Sequence, residues 1–413
     1  MKTLKSVAII LVPLLLWMAF VALGFVQGYL LRPLASDESP EAFVTVAKEE
    51  IEKSSVGNLA MMLIEDGEIS ETYYHSSGKA VDENTIFPVA SISKWATAVG
   101  VMKLVQSGQL DLDRPVEEYL TRWQLPNSEY DNRGVTIRRL LSHSAGLVDQ
   151  LGYAGFGPDE KVQSLEESLT KAADAPWSDG VAAVGYEPGS EYMYSGGSYT
   201  LLQLIIEEIT GQSYVDYMAT EVFSPLGMTQ STFSPDSLPD GDFAPVYKTD
   251  GRTRPMKRFT ALAAASLYTS VSDLSKLMKA HLSANPVLSA ETIDLMAEPT
   301  SYRGSVPVYG LGPHLYSQLD EGSQVIGHDG SGNDAINTAA RVDLLSKDGI
   351  IILATGHESI ASILADEWLF WKFGIADFVV MQRNIPYLFI LFSIGAALII
   401  IGAIIILKKR SKS

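Results

Sequence analysis

Ile86-Phe87-Pro88-Val89-Ala90-Ser91-Ile92-Ser93-Lys94 carries the pattern from which the architecture follows. An apolar lead-in runs into a helix expected over 93–107, which sets a hydroxyl and an amine one helical turn apart at a helix start. Serine is a poor nucleophile until its proton is removed, and a partly desolvated lysine can remove it. Unpaired backbone N–H groups at the helix start favour negative charge on the attacking oxygen or on the one that forms. The spacing alone is weak evidence. Ser76–Lys79 and Ser168–Lys171 repeat it, the first in an expected loop and the second in a polar helical run.

Composition narrows the setting. Of the 413 residues 46% are hydrophobic, a share raised by two uncharged runs, Val7–Leu31 and Ile385–Leu407. Each exceeds the roughly 20 apolar residues needed to cross a bilayer. Lys2 and Lys5 flank the first, and Lys408, Lys409, Arg410 and Lys412 follow the second, so both ends are expected on the cytoplasmic side of the cell membrane. The part between would face outward. A cleaved signal peptide ending near Ala22-Leu23-Gly24 is the alternative for the first run, and it exports the same middle. The whole chain carries −18, and residues 1–32 and 383–413 hold eight Lys or Arg and no acidic residue, which leaves −26 between them. That excludes nucleic acid as a partner. With no cysteine, disulfides and thiolate chemistry are excluded as well.

The expected order is an anchor (1–32), a hydrolase domain (33–382) with a helical part at about 105–265, and a second span with a basic tail (383–413). Asn58–Ile64 and Glu68–Tyr74 read as strands joined by Asp66-Gly67, a hairpin signal. Ile336–Asp343 and Ile350–Thr355 form a second hairpin near the far end. Helices are expected at Glu41–Lys53, Ile137–Ser142, Tyr199–Thr210, Ser272–His281 and Glu358–Phe373, with Ser272 and Asp273 where an N-cap is wanted. Residues 148–190 read as an irregular insertion over a groove. Strands at both ends around a helical middle imply an α+β fold, one antiparallel sheet completed from distant segments with helices packed on it.

A serine–lysine hydrolase also needs a second proton carrier, a donor for the substrate and an oxyanion hole. Tyr194-Ser195-Gly196 precedes a helix, and a hydroxyl held near a lysine ammonium would have its phenolate favoured. His328-Asp329-Gly330, followed by Ser331-Gly332, offers a donor and a small-residue edge for substrate, with the N–H groups of Ser91 and Ser331 as the oxyanion pair.

These pieces, with Leu140–Leu147, Pro225-Leu226-Gly227-Met228 and Tyr309-Gly310-Leu311-Gly312, occur in one order over about residues 40–372. The chain resembles the serine beta-lactamase-like hydrolases: class C beta-lactamases, low-molecular-mass penicillin-binding proteins, D-aminopeptidases and related esterases. The resemblance implies a three-layer αβα fold. It makes Ser91 the acylated nucleophile, Lys94 its base and Tyr194 the acid/base, with His328, Gly330, Ser331 and Gly196 at the substrate. His143 would order a loop. No cofactor is implied, and no metal-ligand spacing occurs. Two departures stand out. Gly196 replaces the usual Asn, whose amide would bind the substrate's amide, and Ala265-Ser266-Leu267 replaces a Gly-Gly wall. The expected activity is therefore hydrolysis of envelope D-amino acyl peptides, peptidoglycan-type, or of esters. A true beta-lactamase, a non-catalytic relative binding envelope polymers and a two-span membrane scaffold are the alternatives.

Overall fold

The computed structural model describes residues 2–148, 152–238, 241–317, 322–332 and 335–410. Lys412 of the basic tail and part of the 148–190 stretch lie outside them. The chain forms two compact units, residues 48–365 and residues 1–47 with 366–413.

Eight strands make the sheet of the larger unit: β1 (Leu59–Glu65), β2 (Glu68–His75), β3 (Ser301–Arg303), β4 (Val306–Tyr309), β5 (His314–Leu315), β6 (Val325–Gly332), β7 (Ile336–Asp343) and β8 (Gly349–Thr355). Their order is β2-β1-β8-β7-β6-β5-β4-β3, and every neighbouring pair is antiparallel. Both expected hairpins form. Asp66 and Gly67 take positive φ (47° and 80°), as a tight hairpin turn between right-twisted strands requires. β7 and β8 are buried along their whole length; β8 reads as a continuous apolar run, whereas β7 buries Asn337, Thr338, Arg341 and Asp343 among its apolar residues. β3 to β6 carry no such run. His328 therefore stands inside a strand and not in a turn ahead of one.

The helices of this unit include α3 (Ile92–Gln106), α4 (Ile137–Leu141), α5 (Leu165–Lys171), α6 (Gly196–Thr210) and α7 (Val271–Lys279). α3 is buried on nearly every side from Ile92 to Leu104, as a helix apolar all round must be. α5 interrupts the stretch expected to be irregular, started by a capping box between Ser164 and Glu167. α7 begins one residue earlier than expected. Its cap is Ser270, which accepts from the Asp273 N–H, so Ser272 and Asp273 are not the cap. Asp273 has a different task. Almost fully buried, it accepts from the Gln230 N–H at 2.6 Å and the Ser231 hydroxyl at 2.9 Å and pairs with Lys276 at 2.7 Å.

In the smaller unit α1 (Lys2–Val26) ends in a turn and not at Leu31, while α9 (Phe378–Arg410) begins seven residues before the uncharged run. α2 (Pro40–Ser54) and α8 (Ile360–Phe373) connect the units. Val7–Val26 and Phe378–Lys409 are long and apolar enough to cross a membrane by length and composition. They pack on each other. The Trp17 indole donates to the Leu391 carbonyl at 3.2 Å, and a Cβ at Gly395 would overlap the Trp17 ring.

Asp273→Ala leaves two donors without their acceptor and Lys276 without its partner, so a loss of about 2–4 kcal/mol is expected in urea unfolding. An unchanged midpoint would contradict that account.

Candidate active site

Ser91 stands at the start of α3 on a turn that the surrounding elements hold in place. Ala90 has φ +47°, a left-handed conformation that costs a side-chain-bearing residue of the order of 1–3 kcal/mol. Four hydrogen bonds fix it. The Val89 N–H donates to Leu267 O (3.0 Å), Thr338 Oγ1 donates to Val89 O (3.0 Å), and Ser93 Oγ donates to Ala90 O (2.5 Å) while accepting from the Leu267 N–H (2.8 Å). Ser93 therefore has a role that the Ser-x-x-Lys spacing did not reveal. Gly330 completes the clamp, because a Cβ there would overlap Val89 O and Thr338 Oγ1. The expected Ala265-Ser266-Leu267 wall also reaches the nucleophile, through these Leu267 bonds.

A serine at a helix start ordinarily spends its hydroxyl on a backbone N–H of the first turn. Ser91 makes no such bond. Its Oγ lies 3.2 Å from Lys94 Nζ and is hydrogen-bonded to Tyr194. Lys94 is buried, donates to Ala264 O at 2.7 Å, and holds its side-chain nitrogen 4.8 Å from the centre of the Tyr194 ring.

His143 positions Tyr194. The Met193 N–H donates to His143 O (2.8 Å) and the Ser195 N–H to His143 Nδ1 (3.0 Å), which is the ordering role expected of it. Ser195 then caps α6. Burial pushes the Tyr194 hydroxyl well above its ordinary value, and the Ser91 hydrogen bond opposes this only in part. The expectation of a favoured phenolate is corrected accordingly: desolvation, helped by the charge of Asp329, favours the neutral phenol at Tyr194.

His328 differs from expectation in a second respect. Its Nδ1–H donates to Asp329 O (2.6 Å), and its Nε2 accepts from the Tyr309 hydroxyl (3.0 Å). Both nitrogens are occupied, so the ring lines the pocket without a free donor. Asp329 is held by Arg341, Nη2 to Oδ2 at 2.9 Å, and accepts from the Tyr316 hydroxyl at 3.0 Å. Gly196, placed at the substrate by the sequence reading, is the first residue of α6, buried and absent from the pocket lining. Thr200, one turn on along the same helix face, binds the hydroxyl of Tyr153 at 2.7 Å, and Tyr153 does line the pocket.

The pocket has a volume of about 530 Å³ and brings together Ser91, Lys94, Tyr194, His328, Gly330 and Ser331. His314, on β5, lines it too, stacked on Tyr194 with ring centres 6.1 Å apart. The sequence reading missed it, since a single histidine on a two-residue strand leaves no periodic signal; only its place just after Tyr309-Gly310-Leu311-Gly312 hinted at it. Burial first, and then the charges of Arg341, Lys94 and Arg303, depress its imidazole to about 4 against the opposing pull of Asp329. His143 and His328 are held well below the usual range, chiefly by burial, so the histidines around Lys94 are neutral. No cluster of side chains able to hold a metal ion occurs among the described residues.

Residues 43–369 match the beta-lactamase family. Penicillin-binding protein 4* of Bacillus subtilis is 34% identical over 181 residues, 42% of this chain and 37% of that protein. Protein flp of Staphylococcus aureus is 25% identical over 256 residues, 60% of this chain and 50% of that protein. The chain thus spans half or less of the length of these curated relatives. Among solved structures, the octameric penicillin-binding protein homologue from Pyrococcus abyssi superposes with a TM-score of 0.68 at 26% identity, covering 84% of this chain and 80% of its own. A D-stereospecific amidohydrolase from Streptomyces shares the fold at 21% identity, with a TM-score of 0.65 over 82% of this chain and all of that one. The family match spans most of the chain and includes the serine, lysine and tyrosine gathered in one pocket, so the chain belongs to the beta-lactamase family of serine hydrolases.

Proposed function

We propose that the protein hydrolyses D-amino acyl peptides or esters of the cell envelope through an acyl-enzyme on Ser91. The observation that carries this reading is an uncapped Ser91 hydroxyl 3.2 Å from the buried Lys94 amine. Lys94, acting from its neutral amine form, takes the Ser91 proton and becomes an ammonium as Oγ attacks the carbonyl carbon, and negative charge collects on the carbonyl oxygen. The Ser91 N–H, which has no backbone acceptor among the described residues, and that of Ser331 receive that charge. Tyr194 gives its phenolic proton to the leaving group as its bond to the acyl carbon breaks, and Lys94 returns a proton to Tyr194. A neutral Tyr194 suits this donor role. Water then attacks the ester on Ser91 by the reverse relay and releases the acid.

The substrate class draws on the named relatives, a penicillin-binding protein and a D-stereospecific amidohydrolase. Gly196 in place of an amide side chain favours esters, or peptides recognised by their backbone, over beta-lactams. Anchoring at the membrane by α1 and α9, with the larger unit outside, rests on two apolar helices that pack on each other. Binding without turnover is the second reading, and the acylation test separates the two.

A fluorophosphonate should label the purified protein, and Ser91→Ala should abolish the label. Lys94→Ala should slow acylation by about 10²–10⁴-fold. An unlabelled native protein would sink the enzyme reading, whereas labelling by a fluorescent penicillin as well would extend the substrates to beta-lactams.

Stability should fall on acidification. Unfolded histidines protonate near 6.5, while folded His281 and His314 resist until about 4, and burial holds His143 and His328 well below the ordinary range too. Their contribution is full above about pH 6.5 and is lost as the pH drops towards 4. Urea midpoints measured across this window should decline, and His314→Gln should reduce the slope.

The natural chain has no cysteine, so single cysteines report topology cleanly. A cysteine replacing exposed Val306 should react with an impermeant maleimide on intact cells, and one replacing Lys409 only after lysis. The opposite pattern would invert the proposed orientation.

A further inference from the structure

His328 cannot supply the donor expected of it, because Asp329 O and the Tyr309 hydroxyl occupy both of its ring nitrogens. His143 spends Nδ1 on the Ser195 N–H, and its Nε2 is sealed in the interior without a partner. His314 differs from both. It lines the cavity, is partly exposed, and neither of its ring nitrogens is hydrogen-bonded to a described residue.

Packing places that ring at the reaction centre. On β5 the His314 backbone pairs with Tyr309 on one side and Gly327 on the other. The turn before it carries Gly312 at φ +120°, where a Cβ would overlap the Ala98 side chain, so β5 is pressed against the helix that follows Ser91 and carries Lys94. The imidazole lies nearly parallel to the Tyr194 ring, with 17° between planes and 6.1 Å between centres, and Tyr194 is hydrogen-bonded to Ser91. Tyr309 and His328 meet it edge-on at 4.6 and 4.7 Å. A single aromatic ring thus links His314 to the nucleophile. Burial and the neighbouring positive charges depress the imidazole to about 4, so at neutral pH it presents one N–H donor and one lone pair. A hydroxyl matches that pair, since it donates and accepts at once, whereas a carboxylate only accepts.

We propose that His314 is a specificity-determining residue that hydrogen-bonds a hydroxyl on the leaving alcohol, beside the scissile ester oxygen, so that esters of diols and polyols are the preferred substrates. This rests on the acyl-enzyme reading at Ser91. In that reading Tyr194 gives its proton to the ester oxygen as the bond to the acyl carbon breaks, and the alcohol leaves past the ring stacked on Tyr194. A hydroxyl on the carbon next to the ester-bearing one then falls against His314. An alkyl chain in the same place strips water from the imidazole and gives its donor and acceptor nothing in return, and that loss is the source of the selectivity.

The test compares the 2-hydroxyethyl and propyl esters of N-acetyl-D-alanine, in which one terminal hydroxyl replaces one methyl group. The hydroxyethyl ester is the more reactive without any enzyme, so the quantity read is the kcat/KM ratio of the two esters in the native chain against the same ratio in His314→Phe. The native ratio should be about five- to tenfold the larger. His314→Gln, whose amide also donates and accepts, should keep a ratio above that of His314→Phe. Both rates in each ratio come from one sample, so misfolded protein cancels. Equal ratios in the native chain and His314→Phe overturn the subsite. If neither ester is cleaved, calorimetry with both on Ser91→Ala protein decides it: tighter binding of the hydroxyethyl ester, lost in S91A/H314F, upholds the subsite, and equal binding overturns it. Failure of the hydrolase reading shows separately, as a native Ser91 that no fluorophosphonate labels.

Discussion

The left-handed turn at Ala90 is the constraint on which the rest of the site depends. It breaks the chain direction between the short Phe87-Pro88 strand and α3, and so lifts the Ser91 hydroxyl off the helix end. Such a conformation persists only where its surroundings over-determine it. Those surroundings come from three distant parts of the sequence: Ser93 on α3, Leu267 ahead of α7, and Thr338 on β7 with Gly330 on β6. One strained residue thus ties the sheet to the helical part at the point where chemistry occurs.

Desolvation is the second organising force. Lys94, Tyr194, His143 and His328 are all withdrawn from water, and a low-polarity setting favours the uncharged form of each ring and phenol. Neutral groups pass protons along short contacts without the cost of rearranging solvent. The single carboxylate in the described lining is neutralised by Arg341, which keeps a fixed negative charge from opposing the oxyanion.

Much of the fold could be read along the chain. The β1–β2 hairpin was legible in Asp66-Gly67, and β8 in its apolar run, since each is a local signal that neighbouring residues repeat. β3 to β6 were not, because β3, β4 and β5 are only 3, 4 and 2 residues long and glycines and polar residues break up β6, so pairing with distant segments and not their own pattern makes them strands. The same reason hid His314. Asp273 was misread as a cap because a buried carboxylate and a capping one look alike until the chain brings Gln230 and Ser231 against it.

The chemistry on offer is written along the chain: a serine and a lysine one turn apart, a tyrosine before a helix, a histidine two residues before a glycine, no thiol, and two apolar ends. Those follow from residue identity and from spacings shorter than a helical turn. The folded chain sets how each group is used. It occupied both nitrogens of His328, kept Tyr194 protonated, withdrew Gly196 from the pocket and gathered Arg254, Lys257 and Arg303 around it. Hydrogen-bond saturation and burial depend on which atoms meet across the folded chain, and no local spacing encodes that.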